Sequence, residues 1–310
     1  MQTLRRVWVE RFYRDGKGVQ ERGDAPGRPP SAGMISSPDD PDARYATTRS
    51  TSWTGDKVHL SETCDADRPH LSTHVETAPA PAADGDAPPP IHRALDDKGL
   101  PPALPIVDTG YLDAALLRAS RTDYDVELLG PTRRDQRWQA RAKDGFGMAA
   151  FAVDWERRRA PCPGGRESVQ WDERVDERGN DRIDVRFSKA ECGPCPVRAP
   201  CTKAERRSIA IRPRAQDEAV HERRARQETP AFAAEYARRA GIEGTISPGV
   251  RAFDLRRATD IGAATTQLQH VLTAAAIDVV RVARWLDEVP VAKTRRSSFV
   301  KLMNPESAAA

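Results

Sequence analysis

Apolar residues recur along this chain with two different periods, and the alternation between them predicts its elements. Leu4, Val7, Trp8, Val9, Phe12 and Tyr13 have helical spacing over 1–14, whereas 15–56, rich in Gly, Pro, Ser, Asp and Arg, read as irregular. Residues 57–63 and 70–77 alternate like strands and pair as an expected hairpin. A Pro/Ala/Asp loop at 79–90 leads into a helix at 91–100. Ile106-Val107-Asp108 reads as a short buried strand ending on a carboxylate, followed by a helix at 113–120 and a strand at 126–129. Hairpin, helix, strand, helix, strand is the order of an α/β sheet. Residues 131–150 read as loop, and 151–154, 182–187 and 208–212 as strands. Helices are expected over about 215–228 and 230–241. The longest covers about 262–287, with Leu268, Val271, Leu272, Ala275, Val279, Val282 and Leu286 on a broad face and Pro290 as its stop. No internal repeat is visible.

Length and composition narrow this picture. A chain of 310 residues can build one or two cores, but a mean hydropathy of -0.66 predicts poorly ordered segments as well. No apolar run approaches the ~18 residues of a membrane span, and 1–8 lack the apolar stretch of a signal peptide. A reducing cytoplasmic setting is expected, in which clustered cysteines point to metal rather than disulfides. Net charge is only +3, yet 41 of the 49 basic residues are arginines. Arg206, Arg207, Arg212, Arg214, Arg223, Arg224 and Arg226 crowd one stretch. They read either as a solvated helix face or as a nucleic-acid surface, since the planar guanidinium binds phosphate bidentately.

Four of the five cysteines fall between 160 and 203. Cys162, Cys192, Cys195 and Cys201 follow C-x29-C-x2-C-x5-C, and Cys192-Gly-Pro-Cys195 is a two-ligand knuckle. Four soft thiolates suit tetrahedral zinc and leave no open coordination position, so the metal would be structural. Unrelated buried thiols and a redox Cys-x-x-Cys remain the alternatives. Cys64 stands apart and is read as a core residue at a strand end.

Two carboxylates complete the candidate chemistry. Asp108 ends its strand, and Glu243 closes Tyr236-x2-Arg239-x3-Glu243, expected to place Tyr, Arg and Glu on one helix face. Singly, Asp108 could cap the next helix, Glu243 could be a surface residue, and Tyr236 and Arg239 could serve helix packing. Together with the run at 53–60, the hairpin, and Val107-Asp-Thr-Gly-Tyr111, they occur in an order that resembles the DDE-class transposases of bacterial insertion sequences. The resemblance is closest to the branch with a Tyr-x2-Arg-x3-Glu signature and a cysteine-bearing insert before the last acid. It covers about 35–302, with further support from 37–44, 62–65, 129–131, 268–270 and 294–297.

The resemblance implies a ribonuclease-H-like mixed α/β sheet with a small four-cysteine zinc-ribbon-like insertion and a C-terminal helical region. It implies a site where Mg²⁺ (or Mn²⁺) sits between carboxylates for in-line displacement at phosphorus. Asp108 would be the second acid and Glu243 the third; Arg239 would neutralise phosphate, and Tyr236 would orient the backbone or Glu243. Trp138 and Trp155 are candidates for stacking on bases. The implied partner is DNA, at the terminal inverted repeats of the element, with a homodimer left open, no membrane, and a bacterial, nucleoid-associated location.

The pattern also breaks. The family's first acid lies on the first strand, and nothing before Trp53 reads as that strand. Asp39, Asp40 and Asp42 sit in a Pro-rich loop. The expectation is an N-terminally truncated, inactive copy lacking its first central strand, marginally stable or aggregation-prone because buried strand edges would go unpaired. Gly55-Asp56-Lys57, Asp260 and Thr265 depart from residues the resemblance leads one to expect. The expected organisation is an irregular remnant (1–56), the first part of the ribonuclease-H-like core (57–155), the cysteine insert (156–213), basic and C-terminal helices (214–303) and a disordered tail (304–310). The alternative function is a non-catalytic, zinc-dependent DNA-binding or interaction protein derived from a transposase.

Overall fold

The computed structural model describes residues 1–23, 29–30, 32–48, 51–133, 135–177 and 179–289. In chain order the elements are α1 (Gln2–Arg11), β1 (Phe12–Asp15), β2 (Gly18–Glu21), β3 (Arg44–Thr48), β4 (Thr51–Glu62), β5 (Ser72–Pro79), α2 (Pro88–Asp97), α3 (Ala114–Tyr124) and α4 (Trp138–Arg141). They continue with β6 (Gln170–Val175), β7 (Asp181–Arg186), α5 (Lys189–Cys192), α6 (Arg198–Cys201), β8 (Ser208–Ile211), α7 (Arg214–Gln227), α8 (Pro230–Ala237), α9 (Ala240–Ala252) and α10 (Ala263–Leu286). The described residues form two compact units: those within 1–101 with 237–289, and those within 102–236. Pro290, the 294–297 motif and the 304–310 tail lie outside the described residues.

In the first unit, β3, β4 and β5 form an antiparallel meander in which His59 faces Glu76 and Leu60 faces Val75. The expected hairpin is present, extended by β3, which the Gly/Pro-rich composition of 15–56 concealed. The same stretch hides the β1–β2 hairpin. Helix α10 packs on β5 and β4. Its contacts include polar ones to β5: His270 Nδ1 lies 2.7 Å from Thr77 Oγ1, Gln267 Nε2 donates to Val75 O at 3.0 Å, and Asp278 accepts from Ser72 N at 3.0 Å. Thr266, His270, Thr273, Ala274 and Ile277 are the buried positions. The broad apolar face read from the spacing is mostly turned outward, with Leu268, Val271, Leu272, Val279 and Leu286 exposed and Val282 half-buried. Periodicity found the apolar stripe, but hydrogen bonding to the β5 edge fixes the helix by its other side.

Asp40 and Asp42, set aside above as a source of the first acid, have a structural task. Asp40 Oδ2 accepts from Gly262 N at 3.3 Å and Asp42 Oδ2 from Ala263 N at 3.2 Å. They satisfy amides at the start of α10, where the helix dipole favours negative charge.

The second unit contains the antiparallel sheet β6-β7-β8, with Val185 opposite Ile209 and Ile183 opposite Ile211. Phe151, Ala160, Ile183, Val185, Phe187, Ile209 and Ile211 form its core. The strands expected near 182–187 and 208–212 are β7 and β8, while the 151–154 strand is reduced to a bridge between Asp154 and Arg159. A smaller core of Leu112, Leu116, Val126 and Leu128 lies under α3.

The strands expected at 106–108 and 126–129 shrink to one parallel bridge between Ile106 and Leu129. Val107 N donates to Leu129 O and Leu129 N to Pro105 O, both at 2.8 Å. Pro105 and Pro131 have no N–H to extend the ladder. The chain turns immediately after Asp108 into a short 3₁₀ segment, Thr109–Tyr111. Gly130 belongs to this close approach, since a Cβ there would stand 2.5 Å from Val107 O. The molecule is a mixed α/β protein of antiparallel sheets and helices, compatible with a ribonuclease-H-like domain. Among the described residues the expected mixed sheet does not extend beyond this bridge in its parallel part.

Candidate functional site

The four cysteines of the insert line one pocket. Cys162 N donates to Arg166 O and Gly165 N to Cys162 O, both at 2.8 Å, closing a turn at Cys162-Pro-Gly-Gly165. Cys192 ends α5, Cys195 follows through the Gly-Pro knuckle, and Cys201 ends α6. All four are half-buried, reduced thiols. They line one pocket of about 30 Å³ together with Phe146, Phe187 and Arg207. A Cβ placed on Gly164 would meet Cys162 Sγ and Cys195 Sγ at 3.7 Å each, so both sulfurs flank this glycine.

The charge environment of this pocket is specific. Burial pushes the Cys201 thiol up; the Arg207 guanidinium opposes that, and the other three cysteines reinforce it. Arg207 is buried, donates to Cys201 O at 3.0 Å and Phe146 O at 3.1 Å, and lies 5.0 Å from the centre of the Phe151 ring. The donor set and the size of the pocket suit one ion. Among the described residues, however, no three His, Cys, Asp or Glu side chains are drawn together as a formed metal-ligand set. Cys64, read as a core residue at a strand end, lies in the first unit just past β4 and is only half-buried.

The carboxylates are placed differently. Asp108 is exposed in the second unit, and its Oδ1 accepts from Thr109 N at 2.6 Å, capping the following turn. Glu243 belongs to the first unit and stands exposed in the first turn of α9, with Arg239 Nη1 3.6 Å from its Oε1. The single helix expected over 230–241 is interrupted: α8 ends at Ala237 and α9 starts at Ala240, with Arg239 as its N-cap residue. Tyr236 therefore lies on a different helix from Glu243 and stacks on Phe232 at 5.7 Å. Arg239 and Glu243 keep their i,i+4 relation, but the three-residue face does not form.

Sequence reading missed what anchors α9. Thr245, two residues past Glu243, is fully buried; its hydroxyl donates to Glu62 Oε2 and accepts from Arg281 Nη2. Arg281 Nη1 also donates to Glu62 Oε2 and to His70 O, both at 2.8 Å. Gly241 lets α9 approach His70, because a Cβ would stand 2.7 Å from the imidazole Cε1. The only sequence signal was Glu62 within Glu-Thr-Cys-Asp; nothing in the spacing pairs it with Arg281.

The arginine stretch is not one open surface. Arg207 and Arg223 are buried. Arg212 is half-buried and bonds Asp181 O at 2.8 Å, Arg214 pairs with Glu218 and Glu156, and Arg226 with Glu127 and Glu235. Arg206 and Arg224 are half-exposed. Trp155 packs edge-on against Trp171 at 5.7 Å, and Lys203 Nζ lies 5.1 Å from the centre of the Trp138 ring, so both candidate stacking rings already have neighbours.

Among the described residues no helix is long and apolar enough to cross a membrane. No curated protein and no solved structure matches the chain. A family model does: residues 161–283 match the transposase DDE domain. That stretch holds the cysteine pocket, the arginines and Glu243, whereas Asp108 lies outside it, and over these residues the chain is similar to the DDE domain of transposases.

Proposed function

We propose that this chain acts on DNA as a transposase of the insertion-sequence type, with a zinc-held cysteine module supporting the DNA-handling region. The observation that carries the reading is that one stretch similar to the transposase DDE domain contains both the four-thiol pocket and the Arg239–Glu243 pair. Cys162, Cys192, Cys195 and Cys201 would hold structural zinc as thiolates. Arg207, buried beside Cys201, offsets part of the charge of that ligand set.

Asp108 and Glu243 would supply carboxylate oxygens to Mg²⁺ or Mn²⁺, which when bound activates a phosphoryl oxygen as a Lewis acid. Both carboxylates are exposed to solvent, as acids that meet a phosphodiester must be. Arg239 puts a positive charge beside Glu243, suited to a scissile phosphate. Tyr236, on its own helix, would contact DNA rather than orient Glu243. The partner would be the terminal inverted repeats of the element, whose paired ends suit two copies of the chain. With two of three acids identified, the chain as given should bind DNA and cut it slowly or not at all.

The test is binding and nicking of supercoiled plasmid with Mn²⁺. DNA affinity should fall steeply with salt and be the same in Asp108→Ala and Glu243→Ala. Any Mn²⁺-dependent nicking should vanish in both variants. Nicking that persists in Asp108→Ala, or an absence of DNA binding at low salt, overturns the reading.

A further inference from the structure

A second basic feature lies wholly within the second unit. Helices α3 and α7 pack together. Between them is a pocket of about 190 Å³, with Leu128 in its wall and four guanidinium groups around it: Arg118, Arg121, Arg223 and Arg226. Glu127 and Glu222 also line it, so cations outnumber carboxylates by two.

The carboxylates do not neutralise the arginines evenly. Arg226 takes Glu127 through Nη1 and Glu235 through Nη2. Among the described residues Arg223 is left with one long ion pair, Nη2 to Glu127 Oε1 at 3.8 Å, outside hydrogen-bond range. Its side chain is only 7% exposed, and its Nη1 is buried with no hydrogen-bond partner among the described residues. Arg121 and Glu222 are 3.9 Å apart at the exposed rim, and Arg118 makes no ion pair among the described residues.

A buried guanidinium with an unused donor is costly unless an acceptor arrives, and the best acceptor for a planar donor fork is an oxyanion. We propose that this pocket binds a phosphate group of the DNA backbone, with Arg223 as its buried donor and Arg118 and Arg121 as rim contacts. The oxyanion chemistry stands on the pocket alone; DNA as its source rests on the function proposed above.

The experiment uses the full chain and two readouts. Duplex DNA binding is followed by fluorescence anisotropy across a salt series, and thermal unfolding is followed with inorganic phosphate or pyrophosphate alone. The variants are Arg118→Gln/Arg121→Gln, which alters only exposed side chains, and Arg223→Lys; Arg157→Gln is the control. In the rim variant the slope of log Kd against log salt should become shallower by about one for each phosphate that is no longer neutralised. Wild-type Tm should rise with pyrophosphate, and that rise should be smaller in both pocket variants. An unchanged salt slope with a pyrophosphate response that the variants lose overturns DNA as the source, and no response in either readout overturns the pocket. If the wild type binds no DNA, the function proposed above fails, while the pyrophosphate arm still decides the pocket.

Discussion

The sheet that carries the cysteines and the segments that carry the acids are built on opposite plans. Around β6-β7-β8 the chain forms paired ladders over a core in which Val185 and Phe187 are almost completely buried, and four thiols line a pocket beside it. Asp108 follows a single parallel bridge, and Glu243 follows a break between two helices. The first region is held by ladder pairing and a closed apolar core. The second presents its charges to solvent and relies on buried neighbours, Leu129 and Thr245, to hold the backbone in place.

Truncation in each region probes that contrast most strongly. Phe187→Ala should destabilise the protein by about 3–5 kcal/mol, read as a lowered urea midpoint, because the aromatic ring fills the sheet core. Ile106→Ala, at the half-buried bridge, should cost clearly less; equal losses would erase the distinction. Next in size is Arg281→Met, expected to cost about 3 kcal/mol by leaving Glu62 buried without its cation. Its companion Glu62→Gln should cost less, since the cation it leaves unpaired, Arg281, is the more exposed partner and keeps its bonds to His70 O and the Thr245 hydroxyl. Gly241→Ala should cost about 1–3 kcal/mol, because His70 must move to admit the methyl group.

Acidification should weaken the first unit. Burial pushes His59, His92 and His270 below the ordinary imidazole value, so the unfolded chain binds protons that the folded chain refuses. Their contribution is complete above about pH 6.5 and is lost as pH falls below it. Chemical denaturation at pH 7.5 and 5.5 should show the fall, and His270→Gln should reduce it. The smallest stability effect belongs to Glu243→Ala. Its ion pair is exposed, so the urea midpoint should move by no more than about 0.5 kcal/mol equivalent, whatever happens to metal-dependent nicking.

The same contrast explains what the sequence disclosed. The hairpin, β7, β8, and helices α2, α3, α7 and α10 were legible because each has a clear period and bounding turn residues. That the four cysteines line one pocket was legible, because Cys-x-x-Cys is local and its partners are few, but no three of them form a ligand set among the described residues. Two errors have one cause. The outward face of α10 and the broken Tyr236–Glu243 helix are decided by hydrogen bonds and contacts to residues some 175–200 positions away, such as Thr77 with His270 and Arg238 with Cys64 O. Arg207 and Arg223 were misjudged as surface because charge density along a sequence does not report burial. The Glu62–Thr245–Arg281 cluster joins three distant elements, and no spacing rule connects them.

If thiolates organise the built part of this molecule, zinc per folded chain, measured after purification without added metal, is the most direct test. The expected result is close to one zinc per chain, falling in Cys195→Ser. Folded, monodisperse protein that carries essentially no zinc, and does not take it up stoichiometrically when it is supplied, would contradict it.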